Sequence, residues 1–276
     1  MKIGVIGAGT MGAGIATSCL AVGDEVVLVD QSDEQAAVAL AGIENSLGRL
    51  AKKNDAIDVA NSMSKLAQGS DLAATIGCEL VIEAIPELLE AKQNIFSALD
   101  DLHGPDVLLG TNTSSLSIDQ IASRASNPDR VIGMHFFNPV PVSALVEVVV
   151  GSRTGDAAVD TAVAFAERLD KSPIVVKDSP GFASSRLGLI LGLEAIRMVE
   201  AGVASPADID AAMELGYRHP MGPLRLTDLV GLDVRLNIAH HLAKELGDRF
   251  APPQLLVDMV ADAKLGKKVG VGFYEW

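Results

Sequence analysis

The chain has 276 residues, room for roughly two domains at ~150 residues each, and its 49% hydrophobic content excludes disorder as the main state. Its formal net charge of −14 excludes a general nucleic-acid binder, which needs a basic face for phosphate, so an anionic ligand needs a local basic cluster or a helix N-terminus. Two cysteines, Cys19 and Cys78, make neither a disulfide framework nor a metal site, and the absence of a signal-peptide pattern or an 18-residue apolar run points to a cytoplasmic protein off the membrane.

Residues 3–6 are a short apolar run before glycine and read as a buried strand. Residues 10–22 carry helical apolar spacing through Met11, Ile15, Cys19 and Val22, and stop at Gly23. A second strand at 25–29 ends at Asp30, and Ser32 caps a helix bearing Ala36, Leu40, Ile43, Leu47 and Leu50. A strand at 80–85 precedes a helix that Pro86-Glu87 opens and that runs to residue 99. Strands follow at 107–110 and 131–134, and two more at 145–150 and 174–176 flank a helix at 156–169. Strands alternating with helices predict crossover units and a parallel sheet.

Beyond Pro180-Gly181 the strand signal disappears, and helices are expected at 182–201, 206–215, 222–246 and 253–263. Gly188 and Gly192, four residues apart, would let another helix approach closely. The expected organisation is α/β: residues 1–180 as a Rossmann-type nucleotide-binding domain, then 181–276 as an all-helical domain.

Gly7-Ala8-Gly9-Thr10-Met11-Gly12 is a GxGxxG. It follows a strand and opens a helix, and Asp30 ends the next strand 18 residues after Gly12. That is the context the dinucleotide fingerprint requires. Gly7 permits the tight turn, Gly9 lets backbone approach the pyrophosphate, and Gly12 lets helix pack on strand. The helix N-terminus offers N–H groups and partial positive charge to the phosphates. Asp30 should take the ribose hydroxyls and repel a 2′-phosphate, and Gln31-Ser32 offers no arginine to hold one, so NAD is expected over NADP.

Substrates of such folds sit beyond the carboxyl ends of the strands. Two polar segments follow strands there: Thr111 to Ser115, and His135-Phe136-Phe137-Asn138-Pro139. His135 is the only one of five histidines at a strand end; His103, His219, His240 and His241 suit surface or packing roles. Glu147 interrupts the apolar run 145–150, and a carboxylate there costs free energy unless paired. His135 is its natural partner; a surface-strand glutamate is the plainer alternative. Arg49, Lys52 and Lys53 stand at i, i+3 and i+4, so they share a helix face. In this acidic chain they form an isolated basic patch, suited to nucleotide phosphates or simply a solvated helix end.

With these segments in place, the chain closely resembles the 3-hydroxyacyl-CoA dehydrogenases over essentially its whole length. The resemblance rests on Gly7 to Gly12, Val81-Ile82-Glu83-Ala84, Asn112 to Leu116, His135 to Val142, Leu145 to Val148, Asp178 to Phe182, Pro220 to Pro223, and Gly266-Lys267-Lys268 through Gly272-Phe273-Tyr274. It implies an NAD-dependent oxidoreductase interconverting (S)-3-hydroxyacyl-CoA and 3-oxoacyl-CoA. It also implies a helical C-terminal domain that completes the substrate cleft and pairs two copies into a homodimer. His135 would be the general base, Glu147 its support, and Ser114 a partner for the substrate oxygen. Glu87, Lys92, Ser114, Asn138 and Lys268 match cofactor-contact positions of the family, and Ser46 and Lys53 match CoA-contact positions.

One segment departs from the family pattern. Gly181-Phe182-Ala183-Ser184-Ser185-Arg186 has Ser185 where the family usually carries an asparagine that helps position substrate. This leaves two other readings: a related hydroxy-acid dehydrogenase acting on sugar acids, and a non-enzymatic, crystallin-like NAD-binding protein. Intact His135, Glu147 and Ser114 count against the last.

Overall fold

A computed structural model describes residues 1–276, which divide into two compact units, Met1–Ser179 and Pro180–Trp276. The first is built on one eight-stranded sheet: β1 (Lys2–Ile6), β2 (Glu25–Val29), β3 (Leu66–Gly69), β4 (Leu80–Glu83), β5 (Leu108–Thr111), β6 (Val131–Phe136), β7 (Leu145–Val150) and β8 (Ser172–Lys177). Their spatial order is β3-β2-β1-β4-β5-β6-β7-β8, and all neighbours run parallel except β6 and β7. The connecting helices are α1 (Thr10–Ala21), α2 (Asp33–Ala51), α3 (Val59–Ser64), α4 (Leu89–Leu102), α5 (Ile118–Ile121) and α6 (Asp156–Arg168). The order turns back between β1 and β4, which opens a crevice at their carboxyl ends.

The inner strands are apolar because helices cover both their faces. Ile3, Val5, Leu28, Leu80 and Ile82 of the sheet pack with Ile15 of α1 and Ile43 and Leu47 of α2, each essentially free of solvent. Burying a side chain of this size stabilises by about 1.5–3 kcal/mol. Ser32 caps α2 by accepting the Gln35 N–H.

Four local features differ from the sequence expectation. β3 has no apolar alternation to announce it; it is a half-exposed edge strand, held by pairing Val26 with Leu66. β4 ends at Glu83 and α4 starts only at Leu89, so Glu87 lies in the intervening loop rather than on the helix. β6 does not stop at Met134: antiparallel β7 continues the ladder through His135 and Phe136. α2 ends at Ala51, so Lys52 is its C-cap and Lys53 lies in the following turn.

The second unit is helical: α7 (Ser184–Glu200), α8 (Pro206–Ala211), α9 (Pro223–Val230), α10 (Leu232–Leu246) and α11 (Gln254–Ala261). Its core gathers Leu189, Leu193, Ile196, Leu224, Leu232, Leu242 and Leu256. The single helix expected over 222–246 is two helices. Gly231 separates them with φ 105°, a conformation that L side chains rarely adopt. The glycine face of α7 packs closely, Gly192 against Thr227 of α9 and Gly188 beside Arg235 of α10. Buried Asp228 accepts the Phe273 and Tyr274 N–H groups and the Trp276 indole N–H, which pins the tail that carries Lys268. No helix in either unit is long and apolar enough to cross a membrane.

A buried clasp ties α4 to the start of β6. Asp100 accepts from Arg130 Nη2 at 2.6 Å and from the Ser126 and Asn127 N–H groups at 2.7 and 3.1 Å. The same guanidinium donates to the Asp100 and His103 carbonyls. Burial alone would raise the Asp100 carboxyl, but Arg130 and these N–H donors hold it below its usual range. Its contribution is therefore complete above about pH 4 and lost as pH falls through the lowered value. Breaking such a pair leaves a buried charge uncompensated, so Asp100→Asn should cost about 3–5 kcal/mol in urea denaturation. A loss under about 1 kcal/mol would show that water already satisfies Arg130.

Candidate active site

The dinucleotide loop is set by close backbone contacts. Gly7, at φ 97°, donates its N–H to Val29 O at 2.8 Å, joining the end of β1 to the end of β2. A Cβ on Gly7 would lie 2.8 Å from Ala84 O, and one on Gly12 would lie 1.8 Å from Gly7 O. Nothing larger than hydrogen fits at either position. At Gly9 the situation is reversed: a Cβ there would meet nothing within 4 Å.

Gly9 is also the N-cap of α1, with no side-chain cap and no acidic residue in the first turn. The first N–H groups of α1, at Thr10 and Met11, thus face open space with the helix dipole behind them. Asp30, just past β2, accepts the Ala8 N–H at 2.7 Å and the Ser32 N–H at 2.9 Å. A carboxylate has about four acceptor sites, so two remain for ribose hydroxyls. Gln35 donates to Ala8 O at 3.0 Å and so steadies the loop from α2, a role nothing in the sequence announces. A cleft of about 300 Å³ adjoins these groups, lined among others by Gly9, Thr10, Gln35, Ser46, Asn138 and Pro141. The open N-terminus, the bare backbone at Gly9 and the placed carboxylate all fit a dinucleotide.

His135 and Glu147 are a direct cross-strand pair of β6 and β7, and His135 Nδ1 lies 2.7 Å from Glu147 Oε2. Their relative exposures are 6% and 0%. An ionised carboxylate only accepts, so it places the hydrogen on Nδ1 and the lone pair on Nε2, the atom able to take a proton. Phe137 packs against the imidazole with ring centroids 4.4 Å apart. Asn112, between β5 and α5, accepts the Phe136 N–H at 2.9 Å and so couples the Ser114 loop to the histidine strand.

Ser114 is exposed, and its N–H donates to Glu87 Oε1 at 2.9 Å. Glu87 also accepts the Thr113 hydroxyl at 2.5 Å and the Ser115 N–H at 3.2 Å. Lys92, expected among the cofactor contacts, lies on α4 beside Glu87. Its side chain is 0% exposed, and its ammonium lies 2.6 Å from Glu83 and 3.4 Å from Glu87. Glu83 itself was missed in the sequence, although a carboxylate in an apolar strand is the signal that marks Glu147. Burial pushes the Glu83 carboxyl up, with Lys92, Thr111 and the Ile85 N–H pulling against it.

Ser46 lines the cleft, whereas Arg49, Lys52 and Lys53 are exposed at the far end of α2. The helix stops before Lys52, so these three cations form a patch spanning helix end and turn rather than a single helical face. In the second unit, Ser185 stands half-buried in the first turn of α7. Lys268 is held by both Asp233 oxygens at 2.5 and 2.6 Å. Both cysteines are buried thiols, and burial raises each above its usual range. No group of three histidine, cysteine or carboxylate side chains could hold a metal ion.

Comparison with known proteins extends these observations. Residues 2–179 match the family described as 3-hydroxyacyl-CoA dehydrogenase, NAD binding domain, and residues 181–276 match its C-terminal domain. The chain is 41% identical to a 3-hydroxybutyryl-CoA dehydrogenase of Clostridioides difficile, over 100% of this chain and 99% of that one. It is 42% identical to the human mitochondrial hydroxyacyl-coenzyme A dehydrogenase, over 99% of this chain and 90% of the human one. Among solved structures it is similar to (S)-3-hydroxybutyryl-CoA dehydrogenase from Ralstonia eutropha, with TM-score 0.94 and 41% identity, covering 100% and 98% of the two chains.

Proposed function

Because the chain belongs to the 3-hydroxyacyl-CoA dehydrogenase family, we propose how its own residues divide that family's reaction. The enzyme is an NAD-dependent oxidoreductase that interconverts (S)-3-hydroxyacyl-CoA and 3-oxoacyl-CoA, and short acyl chains such as 3-hydroxybutyryl-CoA are the substrates we assign to it. Gly7, Ala8, Gly9, Thr10, Met11 and Gly12 hold the cofactor pyrophosphate, Asp30 the ribose, and Glu87, Lys92, Ser114, Asn138 and Lys268 the remainder. When bound, NAD supplies the acceptor for the hydride leaving C3 of the substrate.

The observation that carries the chemistry is the buried His135–Glu147 pair. His135 Nε2 takes the 3-hydroxyl proton as the C3–O bond becomes a carbonyl, and returns it in the reverse direction. Glu147 fixes the tautomer and stabilises the imidazolium that forms. Ser114 donates its hydroxyl to the substrate oxygen, and Ser185 stands where the family asparagine orients the acyl group. The protein works in the cytoplasm as a homodimer. Exposed Leu187, Leu191, Leu229, Val230 and Val234 give the C-terminal unit an apolar surface suited to a second copy.

The test is NADH consumption by the purified protein with acetoacetyl-CoA, run beside free acetoacetate and, with NAD, sugar acids. Turnover with the CoA thioester and little with the free acids is expected. Preference for sugar acids would identify a hydroxy-acid dehydrogenase on the same fold, and NADH binding without any turnover a non-enzymatic protein.

We assign Ser46, Arg49, Lys52 and Lys53 to the nucleotide end of CoA. Replacing the three cations with alanine should raise KM for acetoacetyl-CoA by about tenfold and leave KM for NADH unchanged, since exposed charge contacts are each weak. The difference should shrink at high salt, because such charges are screened beyond ~10 Å at 0.1 M. A shift in the NADH KM instead would move the patch to the cofactor.

A further inference from the structure

Residues 137–144 join β6 to β7 and carry Asn138. Asn138, Pro139, Val140 and Pro141 line the cleft of about 300 Å³ together with Gly9 and Thr10. Within this loop the Val142 and Ser143 N–H groups donate to Pro139 O at 3.0 and 2.9 Å, which closes a turn. Two contacts from outside place that turn. On one side Val140 packs against α1 so closely that a Cβ on Gly14 would lie 2.9 Å from its side chain. On the other, Lys171 reaches in from the residue before β8. Its Nζ donates to Val140 O at 2.7 Å and to Ser143 O at 2.8 Å. No backbone N–H meets either carbonyl.

Stability alone does not call for a lysine here. Lys171 is 8% exposed, and burial pushes its ammonium below the usual lysine range. Its partners are carbonyls rather than a carboxylate, so desolvating the charge costs more than placing an apolar side chain of the same volume. What the ammonium adds is direction. Charge-assisted hydrogen bonds are shorter and stronger than neutral ones. Two of them from one atom pin the turn at Val140 and again at Ser143. The backbone that carries Asn138 is then held between α1 and Lys171 and cannot rock.

We propose that Lys171 is a positioning residue for NAD binding: by holding the Val140 and Ser143 carbonyls it sets the 137–144 loop where Asn138 meets the cofactor. This rests on the cofactor contact given to Asn138 above. Lys171 acts through the backbone of the loop.

The experiment is a cycle between Lys171→Met and Asn138→Ala, read as NADH affinity by fluorescence in the absence of substrate. Asn138→Ala is expected to weaken NADH by about 2- to 10-fold, the size of one hydrogen bond. Lys171→Met should weaken it by a similar factor when Asn138 is present and by less than about twofold once Asn138 is gone. With both ligands saturating, kcat should stay within about twofold, the mark of lost binding rather than lost chemistry. His135 is held apart from the loop, by the β6–β7 ladder. NADH affinity belongs to the folded protein, so a lysine that served stability alone would leave it unchanged.

Unchanged affinity in Lys171→Met, or an equal loss with and without Asn138, overturns the proposal. Should Lys171→Met fail to fold, Lys171→Gln keeps one neutral donor for the carbonyls and is read in the same cycle with the same two outcomes. Asn138→Ala with wild-type NADH affinity would overturn the cofactor reading of Asn138 along with this one. A weakened Asn138→Ala beside an unaffected Lys171→Met would overturn this one alone.

Discussion

His135→Ala is expected to lose about 10²- to 10⁴-fold in kcat while NADH still binds, the range typical of general acid–base catalysis. The expectation follows from the pairing of β6 with β7. The register sets His135 opposite Glu147, and the 2.7 Å contact to a carboxylate favours the hydrogen on Nδ1, which suits Nε2 to the role of base proposed above. Alanine removes that acceptor and also the 2.7 Å contact to Glu147, whose side chain is fully buried. A second variant separates the two effects. His135→Gln keeps an amide donor for Glu147, so it should hold the fold and lose the same activity. Glu147→Gln should lose less, roughly 10- to 100-fold, because the imidazole remains but the charge that stabilises its protonated form is gone. If either His135 variant keeps more than about a tenth of wild-type kcat, another group is the base.

Asp30→Ala should weaken NADH by about 10- to 100-fold, in line with the loss of hydrogen bonds to a charged acceptor. Part of that loss comes from the loop: Asp30 accepts the Ala8 N–H at 2.7 Å, so alanine also loosens the phosphate turn. The same substitution removes the carboxylate that repels a 2′-phosphate. NADPH should therefore be a poor cofactor for wild type and suffer much less from the change, narrowing the gap between the two. Comparing kcat/KM for NADH and NADPH in both proteins decides the point. Equal values in wild type would show that Asp30 does not face the ribose.

The sequence was most legible where function and local geometry coincide. The GxGxxG could be read because Gly7 and Gly12 occupy positions where a Cβ would strike backbone, so residue type and conformation are tied. The acidic end of β2 and the carboxylate within β7 stood out against apolar neighbours. What could not be read was set by long-range pairing. β3 exists because β2 offers it a ladder, not because Leu66–Gly69 has strand character. His135 lies inside a strand because β7 folds back beside it. The resemblance gives Lys92 a cofactor contact, but its ion pair is not legible in the sequence. Its burial depends on Glu83, which precedes it by nine residues and meets it only once β4 and α4 are packed. The break at Gly231 had a sequence signal, a lone glycine in a helical run, but apolar periodicity on both sides masked it.

The central claim is that this site moves a hydride to and from C3 of an acyl chain still joined to CoA. NADH deuterated at its transferable hydrogen, incubated with acetoacetyl-CoA and the purified protein, tests it most directly by mass spectrometry of the thioester product. The account predicts one deuterium per molecule, located at C3 of an intact 3-hydroxybutyryl-CoA and formed at least 10²-fold more slowly by His135→Ala. Unlabelled product, or label found only in a free acid, would contradict it.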